Sequence, residues 1–174
     1  KAQSIELGVR DLKAKANCQL SLYHMILGDF DKAVKLANEA LAYFIPKNDR
    51  SGIAEAHYTI ASVQYKSNNY HEGLRHLLKC LKLYRELKDV ENEARVLKSM
   101  GTIYEYFGDE GNAIESYEES VEASRLAKAP NLESNAYNPL SGIYLNKGNI
   151  KLAEEVIEHS INLKQASGDH RGMG

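Results

Sequence analysis

The sequence predicts an all-α fold, a solenoid of four antiparallel helix-turn-helix units. Three observations carry that prediction. A residue suited to ending a helix recurs every 40 positions, at Gly28, Asn68, Gly108 and Gly148, within LGDF, SNNY, FGDE and KGNI. Small residues recur in the same frame. Counted from Ala14, Ala54, Ala94 and Ser134, the eighth positions are Ser21, Ala61, Gly101 and Ser141. The twentieth are Ala33, Gly73, Ala113 and Ala153, and the twenty-seventh Ala40, Cys80, Ser120 and Ser160. Large apolar residues fill the seventh positions, Leu20, Ile60, Met100 and Leu140, and the twenty-eighth, Leu41, Leu81, Val121 and Ile161. Spacings of three, four and seven place these residues on helical stripes rather than on alternating strand faces.

The units are expected at residues 9–47, 48–88, 89–128 and 129–168, each as two amphipathic helices. Gly or Asn at the turn tolerates the left-handed backbone that ends a helix. The small residues let paired helices approach closely. Residues 1–8 are expected to be the end of a preceding helix and its linker. Residues 169–174 are expected to start a following repeat, because GDHRGMG mirrors the NDRSGIA that opens the second unit. The chain is therefore expected to be a fragment of a longer array, in which polar caps would normally close the ends. Pro139 lacks an amide hydrogen, so a kink is expected in the first helix of the fourth unit, at the carbonyl of Asn135.

A chain of 174 residues, 43% of them hydrophobic, can bury one sizeable core. A net charge of −2 and a pI near 6.3 argue against nucleic acid as partner. No window approaches the apolar length of a membrane span, and the first ten residues lack the apolar core of a signal peptide. Cys18 and Cys80 make no disulfide framework and are read as reduced thiols, Cys80 at a packing position. A cytoplasmic location is expected from that cysteine usage.

The repeat resembles the tetratricopeptide repeat, whose signature is W-x2-L-G-x2-Y…A-x3-F…P. The third unit matches best, through Leu97, Met100, Gly101, Tyr104, Gly108, Asp109, Ala113 and Tyr117. The fourth offers Tyr137, Leu140, Tyr144, Gly148 and Ala153, and the first Leu20, Gly28, Asp29, Phe30, Ala33 and Ala40. Asn17, His57, Leu97 and Tyr137 stand where the family has Trp, and the closing Pro is largely absent. The period of 40 exceeds the usual 34, which lengthens each hairpin by about 9 Å if the added residues are helical. Similar 40-residue repeats occur in polarity scaffolds of the Pins type, in bacterial peptide-sensing regulators, and beside bacterial kinases and nucleotide cyclases. The resemblance implies a right-handed stack with a concave groove, and a non-catalytic protein-protein interaction scaffold. The alternative it implies is the sensory or regulatory arm of a larger bacterial signalling protein, whose effector lies outside these residues.

In the resembled family the groove is lined by positions 2, 5, 6, 9, 12 and 13 of each first helix. The candidate partner-binding residues are then Lys15 and Gln19 in the first unit, and Tyr58, Thr59, Ser62, Tyr65 and Lys66 in the second. Arg95, Lys98, Ser99, Thr102 and Tyr106 follow in the third, with Asn135 and Asn138 in the fourth. The same face of the first unit carries Cys18, Leu22, Met25 and Ile26. Across the whole face Lys15, Lys66, Arg95 and Lys98 outnumber Glu55 and Glu105, a positive excess on an acidic chain. Tyr and Arg are favoured interface anchors. An acidic or C-terminal peptide is therefore expected near Tyr58, Tyr65, Lys66, Arg95, Lys98 and Tyr106, and homo-oligomerisation is compatible with the pattern. A clamp for chaperone tails is not expected: of Cys18, Leu22, Thr59, Arg95 and Ser99, which occupy its positions, only Arg95 agrees.

No catalytic chemistry is expected. His24, His57, His71, His76, His159 and His170 show no metal-ligand spacing. His57 replaces a packing aromatic, and the others fall mostly on outer faces. GTIYEYFGDEG lacks the ending of a phosphate loop. The pairs Glu118-Glu119 and Glu154-Glu155 read as solvated helix faces beside lysines. Neither an enzyme activity nor a cofactor or metal is predicted.

Overall fold

A computed structural model describes residues 2–166 as eight α-helices, with no strand among the described residues. They are α1 (Ala2–Ile26), α2 (Phe30–Phe44), α3 (Arg50–Lys66), α4 (Tyr70–Leu87), α5 (Val90–Tyr106), α6 (Glu110–Leu126), α7 (Pro130–Asn146) and α8 (Ile150–Ala166). A short 3-10 turn, Ile45–Lys47, follows α2. Successive helices pair as hairpins, α1 with α2, α3 with α4, α5 with α6 and α7 with α8. Two compact units result, Lys1–Leu87 and Lys88–Gly174. The fold is an all-α repeat solenoid.

One type of joint connects the two helices within each hairpin. Gly28, Asn68, Gly108 and Gly148 sit at φ 79°, 62°, 72° and 75°. The amide of the next residue bonds the carbonyl five residues back, as Asp29 to His24 at 2.9 Å and Asp109 to Tyr104 at 2.9 Å. That bond closes the helix in the manner of a Schellman motif. The same residue then caps the following helix: Asp29 and Asp109 accept from the amides of Lys32 and Asn112. A helix thus ends, turns and restarts within two residues.

A second series, which the sequence reading did not single out, joins hairpin to hairpin. Asn48, Lys88 and Lys128, again 40 apart, adopt φ 51°, 57° and 54°. Asp49 and Asp89 cap the helices that follow, accepting from Gly52 and Asn92 at 3.0 Å and 3.1 Å. Ala129, at the equivalent place before α7, has no side-chain cap.

Two expectations are corrected. The end of a helix and a linker were expected over residues 1–8, yet α1 is helical without interruption from Ala2. Gly8 stands in register with Asn48, but Val9 follows it rather than an Asp, so no cap restarts a helix and the backbone bonds simply continue. Pro139 lies inside α7, which is helical from Pro130 to Asn146. Leu20 and Ile161, expected to pack, are 47% and 41% exposed, whereas Ile60, Met100 and Leu140 are buried. Leu140 gains its cover from Tyr117 and Val121 of the preceding hairpin. Among the described residues no earlier hairpin exists to cover Leu20, nor a later one to cover Ile161. The expected start of a further repeat at 169–174 lies outside the described residues.

Small residues sit where neighbouring helices come closest. In the first unit Ala14, Cys18, Ala40, Phe44 and Ala56 form a core with Leu41, Tyr43 and Ile53 against it. In the second, Ala113, Tyr117, Val121, Ala136, Tyr137, Leu140 and Ile143 do so. Two buried serines of the small-residue series satisfy their hydroxyls across the hairpin. Ser21 donates to the carbonyl of Ala33 at 2.7 Å, and Ser120 to that of Ala94 at 2.8 Å. Burial without loss of hydrogen bonding explains why Ser serves there as well as Ala.

Candidate functional site

The expected groove face is divided between the two units. In the first, Lys15 and Gln19 on α1 are exposed; Tyr58, Ser62 and Tyr65 on α3 are half-buried, and Lys66 is exposed. The Tyr65 ring meets Tyr70 edge-on with centroids 5.6 Å apart, and the Lys66 ammonium stands 6.0 Å from the Tyr65 centroid. The Ser62 hydroxyl donates to the carbonyl of Tyr58 at 3.0 Å.

Thr59 does not belong to this surface. It is 2% exposed, and its hydroxyl donates to the Glu55 carbonyl at 2.9 Å. Cys18, on the same expected face, is fully buried. Both lie where the first helices α1 and α3 approach one another, a contact that removes their positions from solvent. Burial and the charge of Glu55 push the Cys18 thiol up to about 11, with contact to the Thr59 side chain opposing them, and burial also raises the Cys80 thiol. Neither is an activated nucleophile.

In the second unit Arg95 is exposed and pairs with Glu91 at 2.6 Å along α5. Lys98 and Ser99 are half-buried, and the Ser99 hydroxyl donates to the Arg95 carbonyl at 2.9 Å. Thr102 donates to the Lys98 carbonyl at 3.1 Å, and its Oγ1 lies 3.2 Å from the Tyr117 hydroxyl oxygen. Tyr106 is 63% exposed. On α7, Asn135 is exposed, while the Asn138 side-chain oxygen accepts from Ser160 of α8 at 3.1 Å. The hydroxyls of Ser62, Ser99 and Thr102 are therefore turned back on their own helices. The long cationic and amide side chains are left to make polar contacts outward.

Two features escaped the sequence reading. His57 on α3 and His76 on α4 are both buried, their Nδ1 atoms 2.9 Å apart. His76 had been expected on an outer face. Its Nε2 lies 3.2 Å from Glu72 Oε1, which fixes a consistent neutral pair: His76 donates to Glu72 through Nε2 and accepts at Nδ1 from His57. Burial lowers both imidazoles, His57 to about 4. Neither half of this pair is visible in a helical stripe, because its members come from different helices 19 residues apart.

The second feature is a cleft of about 710 Å³ in the second unit. Its apolar lining comes from Val90 and Leu97 of α5, Val121 and Leu126 of α6, Leu140 of α7 and Val156 of α8. Glu93, Glu115, Glu118, Glu119 and Glu122 also line it, with Arg125 the one cation. Arg125 is engaged by Glu133 and Glu122, both at 2.8 Å, and by the Tyr137 hydroxyl. Glu118 accepts from the Tyr144 hydroxyl at 2.9 Å; burial, then this carboxylate, pushes that phenol up to about 12. Glu118 and Glu119 are exposed, as a solvated face requires, and they also line the cleft. The spacing of Glu115, Glu118, Glu119 and Glu122 was the available signal. Among the described residues no group of three or more His, Cys, Asp or Glu is arranged to hold a metal. No described helix is long and apolar enough to cross a membrane.

The hairpin geometry, the small-residue contacts and the paired joints define a helical-repeat protein of the tetratricopeptide class. Models of the tetratricopeptide repeat match residues 52–125, and residues 14–43 and 134–167. The chain belongs to the tetratricopeptide repeat superfamily. Tetratricopeptide repeat protein 29 of Trypanosoma brucei brucei is 24% identical over 148 residues, 82% of this chain. The chain spans 31% of the length of that relative. Among solved structures, BtubC (BKLC) from P. vanneervenii superposes with a TM-score of 0.79 at 16% identity, over 94% of this chain and 68% of its own. A signal transduction ATPase with numerous domains and a tetratricopeptide repeat sensor, from Pyrococcus horikoshii, gives 0.80 at 24% identity, over 92% and 25%. A Rap protein complexed with competence and sporulation factor gives 0.81 at 16% identity, over 90% and 44%. These likenesses concern the fold.

Proposed function

We propose that this chain is a non-catalytic scaffold whose first-helix faces hold a peptide or a segment of a partner protein, acidic in character. The observation that carries the proposal is the composition of those faces. In the second unit exposed Arg95, half-buried Lys98 and exposed Tyr106 follow one another along α5, with the neighbouring hydroxyls bonded back to their own helix. In the first unit Lys15 and Lys66 accompany Tyr58 and Tyr65. The pair of Arg95 with Glu91 is exposed, so exchanging it for a partner's carboxylate costs little. A Rap protein has been solved with a bound factor, which supports use of this fold for ligand capture. The test is a fluorescence titration of labelled acidic peptides against the wild type and the double variant Arg95→Glu, Lys98→Glu. A loss of affinity of about ten-fold or more is expected, with milder weakening at high salt. Unchanged affinity would sink the proposal.

A second reading makes the array a regulatory arm of a larger signalling protein. The likeness to a sensor region in a signal transduction ATPase favours it. A reading frame that joins these residues to an ATPase, kinase, cyclase or DNA-binding domain supports this reading, and one that encodes no effector rejects it.

A further inference from the structure

The cleft of the second unit shares no residue with the proposed first-helix face, and its charge is of the opposite sign. Five carboxylates line it against one guanidinium, and that guanidinium is already held by Glu122, Glu133 and the Tyr137 hydroxyl. Between the charges lies apolar surface. Leu126 is 73% exposed at the end of α6, beside Ala123 and Val90, and Val156 of α8 contributes from the fourth hairpin. A solvated acidic helix face would show glutamates alone. Here they surround a concavity of about 710 Å³, large enough for one or two side chains of a docked segment.

We infer that this cleft is a second docking site, for a basic amphipathic segment of a partner protein in which Lys or Arg alternates with large apolar residues. The apolar side chains enter against Leu126, Val90 and Val156, and the cations meet Glu115, Glu118, Glu119 and Glu122. Charge complementarity selects this occupant. An acidic segment meets like charge at five of the six charged lining residues, and so does the phosphate backbone of a nucleic acid. A small apolar ligand would make no use of the acidic charge. With the first-helix face taking acidic partners, one unit then presents two surfaces of opposite preference, as an adaptor between two proteins requires.

The probe is a short fluorescein-labelled peptide alternating Lys and Leu, titrated by anisotropy into the protein. Two control peptides accompany it: one with Glu at every cationic position, and one with Ser at every apolar position. The expected result is saturable binding of the Lys-Leu peptide alone. Glu115→Lys with Glu119→Lys should weaken it about ten-fold or more, and Leu126→Gln should weaken it without a change of charge. Arg95→Glu with Lys98→Glu should leave it unchanged, which separates this site from the first-helix face. Circular dichroism confirms that each variant is folded; Leu126 is exposed enough that its replacement leaves the core intact. Absence of binding by the Lys-Leu peptide overturns the inference. So does equal binding of the Lys-Ser peptide, which would mark diffuse charge attraction, or insensitivity to both the Glu and the Leu126 variants.

Discussion

The ring of Tyr117 occupies the space that a β-carbon on Gly101 would need. An ideal Cβ built there lies 2.6 Å from the ring's Cε1. Tyr117 is 1% exposed and its hydroxyl donates to Glu105 at 2.9 Å, so the ring is held at both its face and its tip. Gly101→Ala is therefore expected to destabilise the second unit by about 1–3 kcal/mol, despite Ala's better helix propensity. Urea denaturation measures it. Pairing the change with Tyr117→Leu should recover part of the loss, a coupling that a double-mutant cycle reads directly.

The buried histidine pair makes stability depend on pH. His57 titrates in the folded chain near 4, against 6.5 for an ordinary imidazole, because burial, His76, Lys79 and Arg75 all disfavour its charge. His76 is lowered chiefly by burial, while Glu72 partly opposes the shift. Above about pH 6.5 both rings are neutral in either state and the stability is fully present. As pH falls toward 4, the unfolded chain takes up protons that the folded pair refuses, and stability is lost. The urea midpoint at pH 5 is expected to lie below that at pH 7. His57→Gln should flatten the difference; a wild-type midpoint that stays constant across this range contradicts the assignment.

Lys128 holds φ at 54° between α6 and α7, where its β-carbon has no compensating advantage. Lys128→Gly relieves that strain at the cost of a more flexible unfolded chain. A net gain of about 0.5–1 kcal/mol is expected from thermal unfolding. A loss of stability would show that the lysine side chain contributes more than its backbone costs.

Ala129 leaves α7 without the side-chain cap that Asp49, Asp89 and Asp109 give α3, α5 and α6. Ala129→Asp restores the oxygen at the right place, next to Pro130, which already suits the first helical turn. The expected gain is about 1 kcal/mol, and it should shrink below pH 4 as the carboxyl protonates. Differential scanning calorimetry at two pH values checks both parts.

Much of the fold was legible in the sequence because repetition multiplies a weak signal. A single Gly-Asp pair says little; Gly28, Asn68, Gly108 and Gly148 at one spacing identify a hairpin joint. The companion joints at Lys88 and Lys128 were not legible, since lysine has no preference for the left-handed backbone it adopts there. At Lys88 the Asp89 cap follows, and at Lys128 the amides of Lys128 and Ala129 close α6 on the carbonyls of Arg125 and Ser124. The candidate face was partly legible. Helical spacing places Tyr58, Ser62, Tyr65 and Lys66 together on α3, but spacing along one helix cannot say how near the next helix comes. That distance buries Thr59 and Cys18.

By itself the sequence determined the period, the turn inside each hairpin and the alternation of small and large positions. All of these are properties of neighbours along the chain or of residues one helical turn apart. The tertiary structure decided which members of each stripe remain exposed, that His57 meets His76, and that the glutamates of α6 line an apolar cleft with residues of α5, α7 and α8. Each of those outcomes depends on the approach of separate helices, set by the summed volumes of side chains at their contacts, and no single helix encodes it.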